Sequence, residues 1–430
     1  TLAEHYQSMG AFVIAGGQHF VPDNVEDALR HGVDVVVLGE GERTIADLLR
    51  GLEGRGDLAD IPGIAFLKDD RVVITPPRPP IADFDELPIP DFALLRHARM
   101  RIYPVSGTRG CAMKCEFCSV RGKPRFASSQ RMMAQFASVY EKHGGRTFFI
   151  VDDLFGQNRR AAIELCRMLH DYQQRRGVRF YITVQIRLDK ARDRELLAAM
   201  RAAGINILAI GFESPIAAEL QSMDKGLKPD DMLALVRRYH EAGFRIHGMF
   251  IFGYPAQPGE TLHVDAETRV RHFRRFIRKA RLDTVQVLLP IPLPGTELTA
   301  RLQAEQRILP TEHVGLEYYD GNFPLIQPDP PMTPADMQAA AHKIMGHFYQ
   351  PRAAIKLAIH VLSFPAIGLR LHDARRSWQR WARKWRRDVY RTGGWLTLRQ
   401  WTANFRRGPF IRKLDEAQRA MHATATRGVS

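Results

Sequence analysis

Cysteine is scarce. The chain has four in 430 residues, and three of them fall between positions 111 and 118, so no disulfide framework of the kind that holds small secreted domains together is available. Long apolar runs are absent too. No stretch reaches the roughly 18 apolar residues a spanning helix needs, and the start lacks the charged-then-apolar pattern of an export signal. Internal repeats and low-complexity tracts are missing, which excludes a solenoid or a largely disordered chain. A cytoplasmic, reducing setting is the expectation, and there clustered thiols stay available to a metal. The opening TLAEHYQSMG reads as the middle of a helix, so an upstream segment is expected before it.

What is present is ordinary in bulk and uneven in detail. Hydrophobic residues make up 45% and charged residues 25% of the chain, a globular composition long enough for two or three domains. The net charge is +15, yet residues 351–430 carry 18 Lys and Arg against 4 Asp and Glu. Nearly all of the positive excess therefore sits in the last 80 residues.

The hydrophobic pattern divides the chain. AFVIAGGQHF, PDNVEDALRHG, VDVVVLGEGE and RTIADLLRGLEG alternate strand, helix, strand and helix over the first 52 residues or so. Two β-branched runs of this kind predict part of a doubly wound parallel sheet. TPPRPPIADFDELPIPDFAL, residues 75–94, is too rich in proline for a ladder or a helix. From residue 101 strand-like and helical segments alternate again: RIYPVSG, RTFFIVDD, RFYITVQI, INILAIGFES, FRIHGMFIFGYP and LDTVQVLLPIPLPG, with helices between them. The expected fold is α/β: a partial Rossmann-like domain at 1–74, a linker at 75–100, a (β/α)6 partial TIM barrel at 101–300, a post-barrel segment at 301–350 and a basic helical tail at 351–430. Barrel chemistry gathers at the C-terminal ends of the strands, and the clustered cysteines come just after the first strand.

Cys111, Cys115 and Cys118 in GTRGCAMKCEFCSVRG have the spacing C-x3-C-x2-C. Buried small hydrophobes are the bland reading, but this loop has neither strand nor helix periodicity. A structural zinc site needs a fourth ligand, and His143 and His170 lack knuckle spacing. An iron-sulfur cube usually takes four thiolates; three would leave one iron open, which suits catalysis. With Phe117 before the last cysteine, the loop resembles the signature of the radical S-adenosylmethionine (radical SAM) superfamily. The resemblance implies a 4Fe-4S cluster on Cys111, Cys115 and Cys118, with S-adenosylmethionine chelated at the open iron and cleaved reductively to a 5′-deoxyadenosyl radical.

Further motifs succeed one another in family order. VDDLF (151–155) resembles the acidic-aromatic motif near the methionyl ammonium, which makes Asp152 or Asp153 its partner; helix capping is the alternative. Arg187 in QIRLD could meet the methionyl carboxylate, and GFES (211–214) resembles the G-x-E-S motif in which Gly211 and Glu213 reach the ribose or amino group. FIFGYPAQPGET (250–261) and LLPIPLPGTEL (288–298) resemble the fifth- and sixth-strand motifs, with Gly253 allowing close approach of adenosine. Cys166 lies on the apolar stripe of RAAIELCRMLHDY and reads as core, leaving no thiols for a second cluster.

VIAGGQHF…VVVLGEGE resembles the cobalamin-binding domain found beside some radical SAM barrels, lacking its first half and its D-x-H-x-x-G element. That likeness implies that Gly16, Gly17, Gly39 and Glu40 line the cleft for the corrinoid tail, with cobalamin as a third cofactor; a scaffold that no longer binds it is the alternative.

All five tryptophans lie between 378 and 401, in SWQRWARKWRRDVYRTGGWLTLRQW. Leu371, Ala374, Trp378, Trp381, Trp385 and Val389 share one helical face, while Arg375, Arg376, Arg380, Arg383, Arg386 and Arg387 cover the rest. Such a helix suits the inner face of an anionic membrane; docking on RNA, or a cap whose tryptophans are core, are the competing readings. The function expected is a radical SAM enzyme of methyltransferase or oxidoreductase type, acting on a small or lipid-like substrate and reduced by a flavodoxin or ferredoxin. The alternatives are rearrangement chemistry without cobalamin, nucleic-acid modification, or an iron-sulfur protein without radical chemistry.

Overall fold

The computed structural model of the chain describes residues 2–120, 122–260, 264–362 and 374–427. Helix α1 (Leu2–Ser8) leads into strand β1 (Ile14–Gly16), helix α2 (Val25–Arg30), strand β2 (Val35–Val37) and helix α3 (Gly41–Leu52). β1 and β2 pair in parallel, Ile14 opposite Val35. The run VVV is buried on both faces: Val35 and Val37 pack with Leu48 and Ile64, while Val36 packs with Val25 and Leu29 on the opposite side. Helices on both faces of the sheet explain why β2 reads as continuous rather than alternating.

Two more strands complete this sheet. β3 (Ile64–Lys68) runs antiparallel to β2, and β4 (Arg71–Ile74) folds back on β3. Asp69 and Asp70 join them at φ 50° and 62°, the left-handed pair that a two-residue hairpin turn requires and aspartate tolerates. The hairpin departs from the purely parallel sheet expected for this half of the chain.

Glu40, just beyond β2, fastens the sheet to the proline-rich linker and the ribbon beside the cysteine loop. Its carboxylate accepts from the Ile81 amide at 2.6 Å and from Arg125 Nη2 and Nη1 at 2.6 and 3.0 Å, with Arg109 Nη1 at 3.2 Å. Both guanidiniums lie over the Phe84 ring. Burial disfavours the charged carboxylate, but these donors outweigh it and hold its pKa at about 2 instead of 4.5. A folded-state pKa below the unfolded one stabilises docking above the unfolded value and loses that contribution as pH falls. Proteolysis within residues 75–100 is therefore expected to accelerate as pH drops from about 4.5 towards 2, and Glu40→Gln should remove most of that pH dependence. An unchanged cleavage profile in the variant would contradict this.

The second sheet has six strands in the order β12-β11-β10-β9-β8-β5, every pair parallel. They are β5 (Tyr103–Val105), β8 (Thr147–Ile150), β9 (Tyr181–Gln185), β10 (Ile205–Glu213), β11 (Arg245–Ile251) and β12 (Thr284–Leu288). A small antiparallel ribbon, β6 (Thr108–Arg109) with β7 (Arg125–Phe126), frames the cysteine loop. Helices α4 (Ser129–His143), α5 (Arg159–Arg176), α6 (Arg194–Ala202), α7 (Ala217–Ser222), α8 (Pro229–Glu241) and α9 (Ala266–Ala280) fill the crossovers. Ser128, Asn158, Asp193 and Asp265 each cap a helix by accepting the amide three residues on, and Gly144 and Gly177 end α4 and α5 in the left-handed conformation. Cys166 is wholly buried on α5, and burial pushes its thiol up to about 12.

Because the sheet does not close, β12 presents an edge. Tyr349, just after helix α12 (Pro334–Phe348), covers it: the hydroxyl accepts from the Val285 amide at 2.8 Å and donates to the Val285 carbonyl at 2.7 Å. Helices α10 (Glu297–Ala304) and α11 (Thr311–Val314) precede α12; α13 (Arg352–Leu362), α14 (Ala374–Arg407) and α15 (Phe410–Arg427) come after it.

The tail divides along α14. Trp395, Leu398 and Trp401 pack on the barrel core, with Trp401 4.1 Å from the His342 ring. Trp378, Trp381 and Trp385 stack on one another instead, at 5.1 and 6.0 Å. The core-cap reading thus describes the second half of α14 but not the first; Leu371 lies outside the described residues. Among the described residues no helix is long and apolar enough to cross a membrane.

Candidate functional site

Cys111, Cys115 and Cys118 line one pocket of about 160 Å³ above the C-terminal ends of the parallel strands. The loop that carries them is held on three sides. The Asp152 carboxylate, buried at the end of β8, accepts from the Gly107 and Thr108 amides at 2.7 and 2.9 Å. Gln157 donates to the Gly110 carbonyl at 3.1 Å and accepts from the Ala112 amide at 3.2 Å. Glu116, between the second and third cysteines, accepts from Arg301 Nε at 2.6 Å, Arg301 Nη2 at 3.1 Å and the Tyr254 hydroxyl at 2.5 Å. Gly107 has no room for a side chain, since a Cβ would stand 2.2 Å from the Met132 sulfur.

The rest of the wall is charged. Asp153, Arg187, Glu213 and Lys225 line the pocket together with Phe117 and Gly211. Lys225 Nζ lies 2.6 Å from Glu213 Oε1 and 5.8 Å from the Phe117 ring centre. Burial works against the Lys225 ammonium, but Glu213 outweighs it and keeps the amine charged. Arg187 Nε meets Asp189 Oδ1 at 3.2 Å. Glu213 sits at φ 60°, in the left-handed region that costs a non-glycine residue on the order of 1 kcal/mol or more. A Cβ on Gly211 would come within 2.2 Å of the Glu213 carboxylate, so a side chain there would push Glu213 off Lys225. Burial raises the thiol pKa of Cys115 and Cys118.

The structure thereby sorts the residues singled out from sequence. The three cysteines, Phe117, Asp153, Arg187, Gly211 and Glu213 converge on one pocket. Asp152 does not line it: its carboxylate is consumed in holding the loop, while neighbouring Asp153 faces inward. Neither residue caps α5, a role taken by Asn158. Gly253 is not among the residues that line this pocket. At φ 77° it lies against Met332 and Met337, so its turn serves packing under α12. Lys225, Glu116 and Gln157 went unnoticed in the sequence, where only the position of Glu116 inside the cysteine motif offered a signal.

Gly17 and Gly39 end β1 and β2 at φ 108° and 83°, each with nothing within 4 Å of where a Cβ would stand, and Gly16 closes β1. Gln18 accepts from Ser119 Oγ at 3.1 Å, so the loop after β1 touches the cysteine loop. Glu40 is engaged by Arg109, Arg125 and the Ile81 amide rather than facing this cleft freely. A cleft of about 900 Å³, lined by none of Gly16, Gly17, Gly39 and Glu40, opens between His19, Val21 and Asp27 on one side and Pro294, Glu297 and Tyr319 on the other.

Among the described residues no three His, Cys, Asp or Glu side chains converge tightly enough for a single metal ion. In a multi-iron cluster each of three thiols that share a pocket can bind a different iron. Residues 105–268 match the family model of the radical SAM superfamily. An uncharacterized methyltransferase of Pyrococcus horikoshii is 29% identical over 303 residues, covering 67% of this chain and 62% of its own length. The hopanoid C-2 methylase of Rhodopseudomonas palustris is 25% identical over 319 residues, 72% of this chain and 54% of its own. The chain thus spans between about half and two thirds of these curated relatives. The solved structure of the cobalamin-dependent S-adenosylmethionine radical enzyme OxsB, with aqua-cobalamin and S-adenosylmethionine bound, shares the fold at TM-score 0.59 and 16% identity, over 100% of this chain and 70% of that one. With three thiols at the mouth of an open parallel six-stranded half-barrel, residues 105–268 form a domain that matches the radical SAM superfamily.

Proposed function

We propose that this protein is a radical SAM enzyme that methylates an unactivated carbon of a small or lipid-like substrate with the help of cobalamin. The observation that carries this reading is the pocket itself: three thiols, with the fourth cysteine sealed in α5, beside a guanidinium and inward carboxylates. Cys111, Cys115 and Cys118 would hold the 4Fe-4S cluster. Arg187 would fork onto the methionyl carboxylate of S-adenosylmethionine, and Asp153 and Glu213 would take its ammonium. When bound, the cluster and S-adenosylmethionine supply radical generation and cobalamin supplies the methyl group. The chain's own residues orient the methionine end, exclude water and keep the Glu213–Lys225 pair in place.

Cobalamin fits the first sheet on one physical ground. Bare backbone at Gly17 and Gly39 lies beside open space just past the strand ends, as a bulky nucleotide tail would need, while Gly16 abuts Val37, and the loop after β1 adjoins the cysteine loop. The methylases among the relatives support the same assignment. Glu40 is left with a fastening role. A flavodoxin or ferredoxin would provide electrons, and the first half of α14 would rest on an anionic membrane surface.

Anaerobic reconstitution with iron, sulfide and hydroxocobalamin, with S-adenosylmethionine and a reductant added last, tests the proposal. Release of both 5′-deoxyadenosine and S-adenosylhomocysteine is expected. Neither product would sink the reading; 5′-deoxyadenosine alone would assign oxidation or rearrangement in place of methyl transfer. Within the pocket, Asp153→Asn and Arg187→Gln should each raise the KM for S-adenosylmethionine about 10- to 100-fold, with kcat changed far less, since each removes one charged hydrogen-bond partner of the bound ground state. Initial-rate kinetics distinguish that from a loss of kcat at constant KM.

A further inference from the structure

At the other end of the barrel, where the strands begin, a groove of about 950 Å³ is lined by Arg146, Arg179, Arg201 and, from α14, Arg386. No Asp or Glu is among its described lining residues. Arg201 is set in place by its donation to the Ile205 carbonyl at 2.9 Å and by the Phe244 ring at 5.3 Å. Burial first, then the neighbouring Arg245 and Arg179, push its pKa below the ordinary arginine value. The groove therefore concentrates positive charge that no lining carboxylate offsets.

The helix that carries Arg386 also carries an apolar row, and α13 packs against it. Arg386 sits next to Trp385, whose ring stacks on Trp381 and through it on the half-exposed Trp378. Helix α13 packs along α14 and leaves Ile355, Ile359 and Leu362 exposed at i, i+4 and i+7, on one face. A basic groove roomy enough for a lipid headgroup, on the same helix pair as exposed aliphatic and indole groups, matches a molecule with an anionic head and apolar chains. RNA would use the charge but leave Ile355, Ile359 and Leu362 without a role.

We propose that this groove seats the headgroup phosphate of an anionic phospholipid while Ile355, Ile359, Leu362 and Trp378 enter the adjoining bilayer surface. The assignment rests on the membrane reading of the tail. It places the membrane at the strand N-termini, opposite the thiol pocket, so the surface anchors the protein and leaves the cysteine end turned towards water and an electron donor. A lipid-like substrate would reach the thiols by leaving the bilayer rather than by entering through the tail.

Flotation of the full chain with vesicles of phosphatidylcholine, with and without phosphatidylglycerol, tests this. Binding is expected only with the anionic lipid. The triple variant Arg146→Gln, Arg179→Gln, Arg386→Gln should bind on the order of a hundredfold more weakly, at roughly fivefold per arginine near an anionic surface. Should the triple variant melt earlier by circular dichroism, Arg386→Gln alone, outside the barrel, should still show its fivefold loss. No flotation of the wild type overturns the membrane reading and the groove with it. Equal flotation of wild type and variants overturns the groove while leaving the membrane reading standing. Pyrophosphate or an RNA oligonucleotide bound through the same arginines, without flotation, assigns a soluble anion and overturns the lipid.

Discussion

Cys118→Ala protein, loaded anaerobically with iron and sulfide, is expected to release no 5′-deoxyadenosine above background, a loss on the order of a thousandfold or more. Two thiolates would remain for a cube that needs three to leave a single iron open, so the cluster would be lost or rearranged. The remaining cysteine cannot take its place. Cys166 lies on α5 behind the core, fully buried, and among the described residues no His, Asp and Glu group converges for a metal. Iron and sulfide analysis should fall together with nucleoside release. Iron content at the wild-type level with undiminished product would end the assignment of these cysteines. Cys166→Ala is the matching control: it should cost a few kcal/mol of stability at most, as loss of a buried small side chain, and leave iron content intact.

The barrel was legible because its signals repeat. Six apolar runs separated by capped amphipathic helices admit few topologies once crossovers are right-handed and connections short; the observed strand order is the simple sequential one. Charge inside the pocket was legible only where a residue sits at a strand end. Arg187 and Glu213 do, at the ends of β9 and β10. Lys225 does not: it lies in the loop after α7, where no periodicity distinguishes a buried lysine from a solvated one. The choice between Asp152 and Asp153 was beyond the sequence, because adjacent residues on an extended segment face opposite ways and the register of β8 decides which one meets the loop amides. Glu40 meets a different limit. Its G-E-G-E context marks a turn beside a cleft, but its charge is spent on Arg109 and Arg125, about 70 and 85 residues away in sequence, and pairings of that range leave no local trace. The tail was half legible: Trp378, Trp381 and Trp385 stack in a row of which Trp378 is exposed and the other two half-buried, whereas Trp395 and Trp401 are drawn onto the barrel by Leu398 and His342.

Glu116→Ala should cost about 3–5 kcal/mol of stability and reduce iron loading while all three cysteines remain. The residue lies inside the cysteine motif, yet its carboxylate turns away from the thiol pocket and is buried against Arg301 and Tyr254. Its backbone is tied as well: the amide donates to the Met223 carbonyl and its own carbonyl accepts from the Leu298 amide, both at 3.2 Å. One side chain thus joins the cysteine loop to the turn after β11 and to α10. Truncating it leaves the Arg301 guanidinium, only 10% exposed, with Glu305 at 3.5 Å as its remaining carboxylate, and a buried charge that loses its close anion is the costly part of such a deletion. Urea unfolding should show the lowered midpoint, and iron analysis the poorer cluster retention. The double variant Glu116→Met, Arg301→Met separates the two contributions. Replacing both ions by apolar groups of similar length should recover much of the stability, whereas cluster loading should stay low, because the loop has lost the contact that fixes Cys115 and Cys118 on either side of residue 116. If iron content recovers together with stability, the pair serves the fold alone and loop positioning must come from Asp152 and Gln157.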